Sequence, residues 1–535
     1  MNWQTTFRKS GATVYDGIEL NDGSKLIVLG KQRKEKYYYA YINSNGEKEK
    51  KKRIRASKGM KKLDFKKMIN FEGTPYFIFT SVTSFGNKLN VYLFPFDKGK
   101  YKIGRDPISQ ISLDVDGSRH YKYILSSIHY TPNKKGAVIS FSSKKKARSD
   151  YIANKAVEVF QSDLELKEVD TQLKEKDEFD LQAVDYAVNN NGVKFIYYSD
   201  YVPSHLTFTS SSLNDYNPQY RERSGLGRLY SNPLGRYTLK RYNGNGLRQG
   251  LRNYLKVIYP NGESKSFKIR RNENDLGVND YYISLNESGN GLLLYGISNI
   301  EDKAWISIHE FDTEKSEFNY KKAQLNLDID VEDDKISYYP DEVKYIDNKP
   351  CIVFEGFRLD YNKKNLVTPA ASSSIHHKST SYTFKTKYTD LLVVVLDSNL
   401  NEVYSTKINK RYNHTYRKIT KKPERIEYSL DPKLNTANKK DFIGGYSAFV
   451  INSKLYVFFN SGGAEYDRSG DYYSQKDDLY MYQCVINPKE KKTIKRQLSD
   501  DGNNEFIPLR FYQSSNKVHL FRKEYGRFSV GYLTY

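Results

Sequence analysis

The densest run of side chains able to do chemistry lies between positions 220 and 252: Tyr220, Arg221, Arg223, Arg228, Tyr230, Arg236, Tyr237, Arg241, Tyr242, Arg248 and Arg252. Arginine offers a planar, always-charged fork that binds carboxylate or phosphate with two parallel hydrogen bonds. Tyrosine adds flat apolar area with a hydroxyl handle. Both types are enriched at the energetic centres of protein interfaces, and the same mixture can stack on bases or sugars. The leading expectation is a surface for a protein partner. A polyanion or glycan surface is the first alternative, and a loop packed on its own scaffold is the second.

Other candidates carry less. Gly244-Asn245-Gly246-Leu247-Arg248-Gln249-Gly250 has the glycines of a phosphate cradle but lacks its Lys-Ser/Thr, so it is set aside. His376-His377 is the one pair of adjacent histidines; neighbours on a strand point to opposite faces and seldom share a metal, which favours a Ser-rich loop. Asp328 to Asp334 alternates carboxylates without the glycine or distal glutamate of a calcium loop. Asp467, Asp471, Asp477 and Asp478 flank a hairpin loop without forming an identifiable pair. Neither a Gly-x-Ser-x-Gly elbow nor a His-Glu-x-x-His zinc signature is present. His309 and His519 sit in strand patterns and read as ordinary sheet residues. No catalytic residue, metal or cofactor is assigned, and the enzyme question leans to no.

What must position the Arg/Tyr stretch is a repeat. A unit of apolar run, Gly/Asn/Lys turn, second apolar run and charged strand recurs about eight times. Its clearest copy joins Cys351-Ile352-Val353-Phe354 to Leu391-Leu392-Val393-Val394-Val395-Leu396. The turn Gln161-Ser162-Asp163-Leu164-Glu165-Leu166 echoes Leu396-Asp397-Ser398-Asn399-Leu400-Asn401. Such a period marks a solenoid or a propeller. The last copy, from Phe506 to Tyr535, has room for three strands. At the other end Asn2-Trp3-Gln4-Thr5-Thr6-Phe7-Arg8 is strand-like and belongs to no repeat. The pattern predicts an all-β propeller of about eight four-stranded blades, seven being the alternative. The N-terminal strand joins the C-terminal blade and closes the ring, a way to leave only short sheet edges. The whole chain, 1–535, reads as one propeller domain broken by long insertions at 199–253, 357–389 and 409–441, all expected in connections rather than strands. Connections are where scaffolds carry their binding residues.

Composition agrees. There are 48 Tyr and 27 Phe against 4 Met, a balance suited to half-buried pleated surfaces. The net charge of +22 favours anionic partners without deciding the fold, and most of it is expected to be solvated surface rather than a nucleic-acid face. Cys351 and Cys484 fall in apolar runs of different repeats and are expected as buried free thiols. No apolar stretch reaches the roughly 20 residues of a membrane helix.

The phrase Leu396-Asp397-Ser398-Asn399-Leu400-Asn401-Glu402 between strands, with the opening Asn2-Trp3-Gln4-Thr5-Thr6-Phe7, resembles exported β-propeller-like (WD40-like repeat) envelope proteins of AT-rich Gram-negative bacteria. The resemblance is one of structural pattern and transfers no functional residue. It implies a periplasmic or outer-membrane-associated module whose signal peptide has been removed, with a cytoplasmic location as the alternative. The expected function is a non-enzymatic binding scaffold, monomeric before assembly. It would serve as an accessory subunit of an outer-membrane or secretion (type IX-like) complex, with an outer-membrane protein among its partners. A polysaccharide-acting propeller hydrolase or lyase is one alternative. A polyanion or nucleic-acid binding protein is the other.

Overall fold

A computed structural model describes residues 2–8, 13–31, 36–54, 63–82, 88–114, 121–145, 152–173, 182–199, 206–208, 253–269, 282–286, 288–289, 291–300, 303–327, 337–340, 343–369, 376–410, 412–420, 426–428, 445–462, 479–499, 505–508, 511–514, 516–524 and 527–535. Among them there is no α-helix. The strands form eight antiparallel blade sheets in chain order, the last completed by the N-terminal strand, and one further two-stranded pair. The expected eight blades are present, and seven is excluded.

Within a blade the burial follows the sequence. The second strands Thr74–Val82 and Lys454–Ser461 are buried along six consecutive residues, because each lies between two neighbouring sheets. The outer strands Ser264–Lys268 and Lys492–Gln497 are almost wholly exposed. Apolar clusters fill the seams between blades; Cys351, Val393 and Leu391 of blade 6 pack with Val457, Phe459 and Cys484 of blade 7.

Ring closure is as expected. The strand Asn2–Arg8 pairs antiparallel with Arg527–Thr534, from Asn2 opposite Tyr532 to Arg8 opposite Arg527. It supplies the outer strand of blade 8. The inner strand of that blade is split into Glu505–Phe506 and Tyr512–Ser514, both paired to Lys517–Glu524.

The alternation of strand directions separates two faces. Connections after the first and third strands of every blade emerge on one face, and those after the second and fourth on the other. The first face is made of tight turns. Glu72-Gly73, Asp347-Asn348 and Asn452-Ser453 have positive φ at both positions, the two-residue hairpin geometry that matches strand twist. Gly73 is required there twice over, since a Cβ would lie 2.3 Å from the Asn21 side chain. These turns are bonded from blade to blade: Asn21 Nδ2 donates to Glu72 O (2.9 Å), Lys98 meets Asp22 (2.6 Å), and Lys135 meets Glu72 (3.0 Å). Further round the ring Asp347 takes Ser453 Oγ (2.5 Å) and Lys489 (3.0 Å).

All three insertions leave from the opposite face. Those at 199–253 and 357–389 follow the second strands of blades 4 and 6, and that at 409–441 runs from the outer strand of blade 6 to the inner strand of blade 7. One expectation is corrected here. The 357–389 insertion is built largely of strand, because Lys349–Pro369 and His376–Leu396 run on past the blade as a hairpin registered from Phe357 opposite Tyr388 to Pro369 opposite His376. The sequence 376–388 is rich in Thr, Tyr and Phe, types that favour extended pleated backbone, and its lack of a central glycine hid the hairpin. His376 and His377 thus open a strand rather than ending a loop.

Candidate functional site

Two buried polar roots hold the insertions to the ring. At the first, Ser199 and Asn253 are the last paired residues of blade 4. Asn253 is fully buried and accepts a hydrogen bond from Tyr197 OH (2.9 Å), while Tyr198 OH donates to Thr171 O (3.0 Å). The two ends of the 199–253 insertion are therefore clamped side by side on the wall of the ring.

The second root lies where the long hairpin leaves blade 6. A bulge between Glu355 and Phe357 adds a residue and turns the strand, as bulges do at sheet edges. Glu355 is 4% exposed and Lys410 is fully buried. Their side chains form an ion pair, and Lys410 Nζ also donates to Gly445 O (3.0 Å) and sits 5.7 Å from the centre of the Tyr388 ring. Burial pulls the Lys410 ammonium below its ordinary range, and the Glu355 charge opposes that shift. Tyr388 and Tyr412, both buried, lie with ring centres 5.9 Å apart. Lys407 meets Asp390 at 3.1 Å. The pair thus ties the hairpin, the start of the 409–441 insertion and the entry to blade 7 at one point.

From these roots the insertions join one another through their backbones. The strand Tyr412–Thr420 of the third insertion pairs with the second along Thr380 to Tyr388. Leu206–Phe208 of the first pairs with Ile426–Tyr428 of the third, Leu206 opposite Tyr428. The join links an insertion of blade 4 to one that leaves blade 6, while in blade 5, between them, the second and third strands are connected by residues 301–302 alone. Segments of all three insertions are thus linked by strand pairing, the first to the third and the third to the second.

All eleven expected partner-binding residues, Tyr220 to Arg252, lie outside the described residues, as do Gly244–Gly250, Asp328–Asp334 and Asp467–Asp478. What the structure does place is where their insertion is rooted and which strands it joins.

Two aspartates of inner strands serve the scaffold. Asp16 accepts from Met68 N (2.8 Å) and Lys67 Nζ (2.8 Å) of blade 2. Asp185, in the same place in blade 4, accepts from Ile283 N (3.2 Å) of blade 5 and faces His129 of blade 3 at 3.5 Å. A bulge immediately precedes each aspartate. Tyr15-Asp16-Gly17 and Val184-Asp185-Tyr186 were therefore a readable signal, an aspartate recurring at one position of an inner strand.

His519 is no ordinary sheet residue. It is fully buried at the closure, its Nε2 against Glu19 of blade 1 and 2.8 Å from Ser514 Oγ, with Tyr512 stacked at 4.5 Å. Serine and carboxylate both meet the same ring nitrogen, and Nδ1 is buried without a hydrogen-bond partner, so the trio lacks the relay geometry of a nucleophilic triad. Among the described residues no cluster of three His, Cys, Asp or Glu could hold a metal. Cys351 and Cys484 are free and buried, as expected, and burial pushes both thiols up to about 12. No described helix is long and apolar enough to cross a membrane.

No protein-family model and no curated protein sequence matches the chain. Among solved structures, the Dos1 propeller is similar over 99% of this chain and 95% of its own, with 10% identity and a TM-score of 0.41. Prolyl oligopeptidase B from Galerina marginata is similar over 97% of this chain and 56% of its own (9% identity, TM-score 0.37). The GH93 α-L-arabinofuranosidase of Fusarium graminearum matches 66% of this chain and 92% of its own (10% identity, TM-score 0.31). At such values nothing about function is drawn from them; the propeller stands on its own strand pairing.

Proposed function

We propose that this chain is a protein-binding propeller module. Its three insertions act together as one docking structure, and the ring serves to hold their roots in place. The observation that carries this reading is the pairing of Leu206–Phe208 with Ile426–Tyr428 and of Tyr412–Thr420 with Thr380 to Tyr388. Segments that only varied freely would have no reason to share backbone hydrogen bonds. The Arg/Tyr-rich stretch 220–252 belongs to the first of these insertions and carries side chains of the types that dominate interface energetics. We place the module in the bacterial envelope, periplasmic or associated with the outer membrane, as an accessory subunit of a larger complex. Support for that location comes from the sequence resemblance carried by the phrase Leu396-Asp397-Ser398-Asn399-Leu400-Asn401-Glu402 between strands.

The test is affinity capture with the full chain from gently solubilised envelope extract, beside a variant in which residues 209–252 are replaced by a short Gly/Ser linker. A stoichiometric partner present with the first and absent with the second is expected. A chain that captures nothing, or a partner retained by the variant, overturns the reading.

A further inference from the structure

The hairpin of blade 6 and Tyr412–Thr420 form a three-stranded ribbon beyond the ring, with His376–Tyr388 in the middle. Its two outer edges have no partner strand among the described residues. Short strands pair with the hairpin's first strand only as far as Phe357, so no strand among the described residues runs along the edge from Arg358 to Pro369, nor along the outer edge of Asn413 to Thr420. At about 3.3 Å per residue the first edge runs for roughly 40 Å. The outer strands of the blades themselves are shorter, from three residues in blade 3 to eight in blade 5. A long open edge is a template for another strand.

The charge on this ribbon selects the strand. Its three segments carry Arg358, Lys363, Lys364, Lys378, Lys385, Lys387, Arg417 and Lys418 against a single carboxylate, Asp360. In the backbone register Arg358 is the partner of Lys387, and Tyr382 is the partner of both Lys363 and Lys418. A second copy of this ribbon would be repelled by such an edge, whereas an acidic strand is attracted to it. We propose that the ribbon binds an extended, acidic segment of a partner protein by strand addition. Main-chain hydrogen bonds would give the affinity, and the lysines and arginines the selectivity. A nucleic acid meets the charge but cannot offer the alternating amide and carbonyl groups that an edge requires. The inference rests on the protein-binding reading above and deepens it by naming the mode and the chemistry of the bound segment.

The full chain is titrated at low ionic strength with a fluorescein-labelled 12-residue peptide of alternating Glu and Val, followed by anisotropy. Parallel titrations use the same peptide N-methylated at alternate residues, inorganic polyphosphate and a 20-nucleotide oligothymidine. The expected result is saturable binding weakened at least tenfold by N-methylation, with slowed amide exchange in 358–369 or 412–420. At least tenfold weakening is also expected in a Lys385→Glu, Lys387→Glu, Arg417→Glu, Lys418→Glu variant that melts like the parent. No peptide binding overturns the proposal. So does equal binding of the N-methylated peptide, and if polyphosphate or oligothymidine then competes, the ribbon is a polyanion surface instead. A captured partner that is lost on shortening 209–252 but indifferent to the charge reversals also overturns it, while leaving the broader reading in place.

Discussion

Glu19 of the first blade and His519 of the last are paired across the seam that closes the ring, and the imidazole is completely buried. Facing it are Glu19 and Lys25 of blade 1, Lys517, Ser514 and Tyr512 of blade 8, and Tyr532 on the strand that binds the N-terminal segment. Burial holds the His519 ring below its ordinary range, against the pull of Glu19, with Lys25 and Lys517 adding to the depression. Burial raises the Glu19 carboxyl, but the bonds from His519 and Ser514 outweigh it and hold the group below the usual range.

Both shifts work in the same direction. A histidine depressed in the fold stabilises it while neutral; that contribution is complete above the unfolded value of about 6.5 and fades as pH falls through it. Glu19 adds a second loss at lower pH, where its carboxylate is protonated. The melting temperature should therefore fall as pH is lowered from 7.5 to 5. His519→Gln should cost about 2 kcal/mol at pH 8, the scale for disrupting a buried hydrogen-bonded group, and should flatten the profile between pH 7 and 5.5. Melting curves across that range decide it, and a parent profile as flat as the variant's would remove histidine from the closure.

Deleting the residues before Ser10 takes away the outer strand of blade 8, which spans Asn2 opposite Tyr532 to Arg8 opposite Arg527. The exposed edge then belongs to the blade that packs against both its neighbours around the seam. The deletion should lower the melting temperature of the whole ring. It should also remove hydrogen-exchange protection from 527–534 first, because local opening follows the least supported strand. Unchanged melting would mean that the ring is closed by the contacts of Glu19 with His519 and Ser514 without help from the strand.

Cys351 and Cys484 lie in one apolar seam between blades 6 and 7, with thiols pushed up to about 12 by burial. The nucleophile in thiol chemistry is the thiolate. At pH 8 neither should react with Ellman's reagent in the native protein, and both should react at once in 6 M guanidinium. Reaction of one equivalent without denaturant would show that the seam opens.

The ring was legible because each blade is a local object. The turn Leu396-Asp397-Ser398-Asn399 and the buried run Leu391 to Leu396 sit within a few residues of one another, and alternation along a short segment settles which face is buried. The closure could be read for a similar reason, as a surplus strand at one end and a deficit at the other. The candidate site could not. Leu206 meets Tyr428 and Glu19 meets His519 from opposite ends of long stretches of chain, and neither carries a periodic mark. Glu355 and Lys410 look like the surface charges around them until the bulge and the buried tyrosines are in view. The hairpin 357–388 carries no apolar strand signature in the sequence because a strand pair that leaves the blade has no neighbouring sheet to impose an apolar run.

That same pair gives the sharpest test of how the insertions are anchored. Lys410 is wholly buried and Glu355 nearly so, and removing one member of such a pair strands the other charge away from water. Lys410→Met alone should destabilise the fold by about 3–5 kcal/mol, whereas replacing a buried pair by apolar residues of similar size is often near neutral. Glu355→Leu with Lys410→Met should therefore recover most of the loss in urea unfolding. The pair also joins the hairpin to the carbonyl of Gly445 at the entry to blade 7. In the single variant, hydrogen-exchange protection should accordingly fall in Tyr412–Thr420 and in the hairpin before it falls in Lys454–Ser461. If protection is lost uniformly, the ion pair supports the ring alone and the insertions are held by their strand pairing. If the double variant is no better than the single, the cost comes from lost packing around Tyr388 and Tyr412 rather than from a stranded carboxylate.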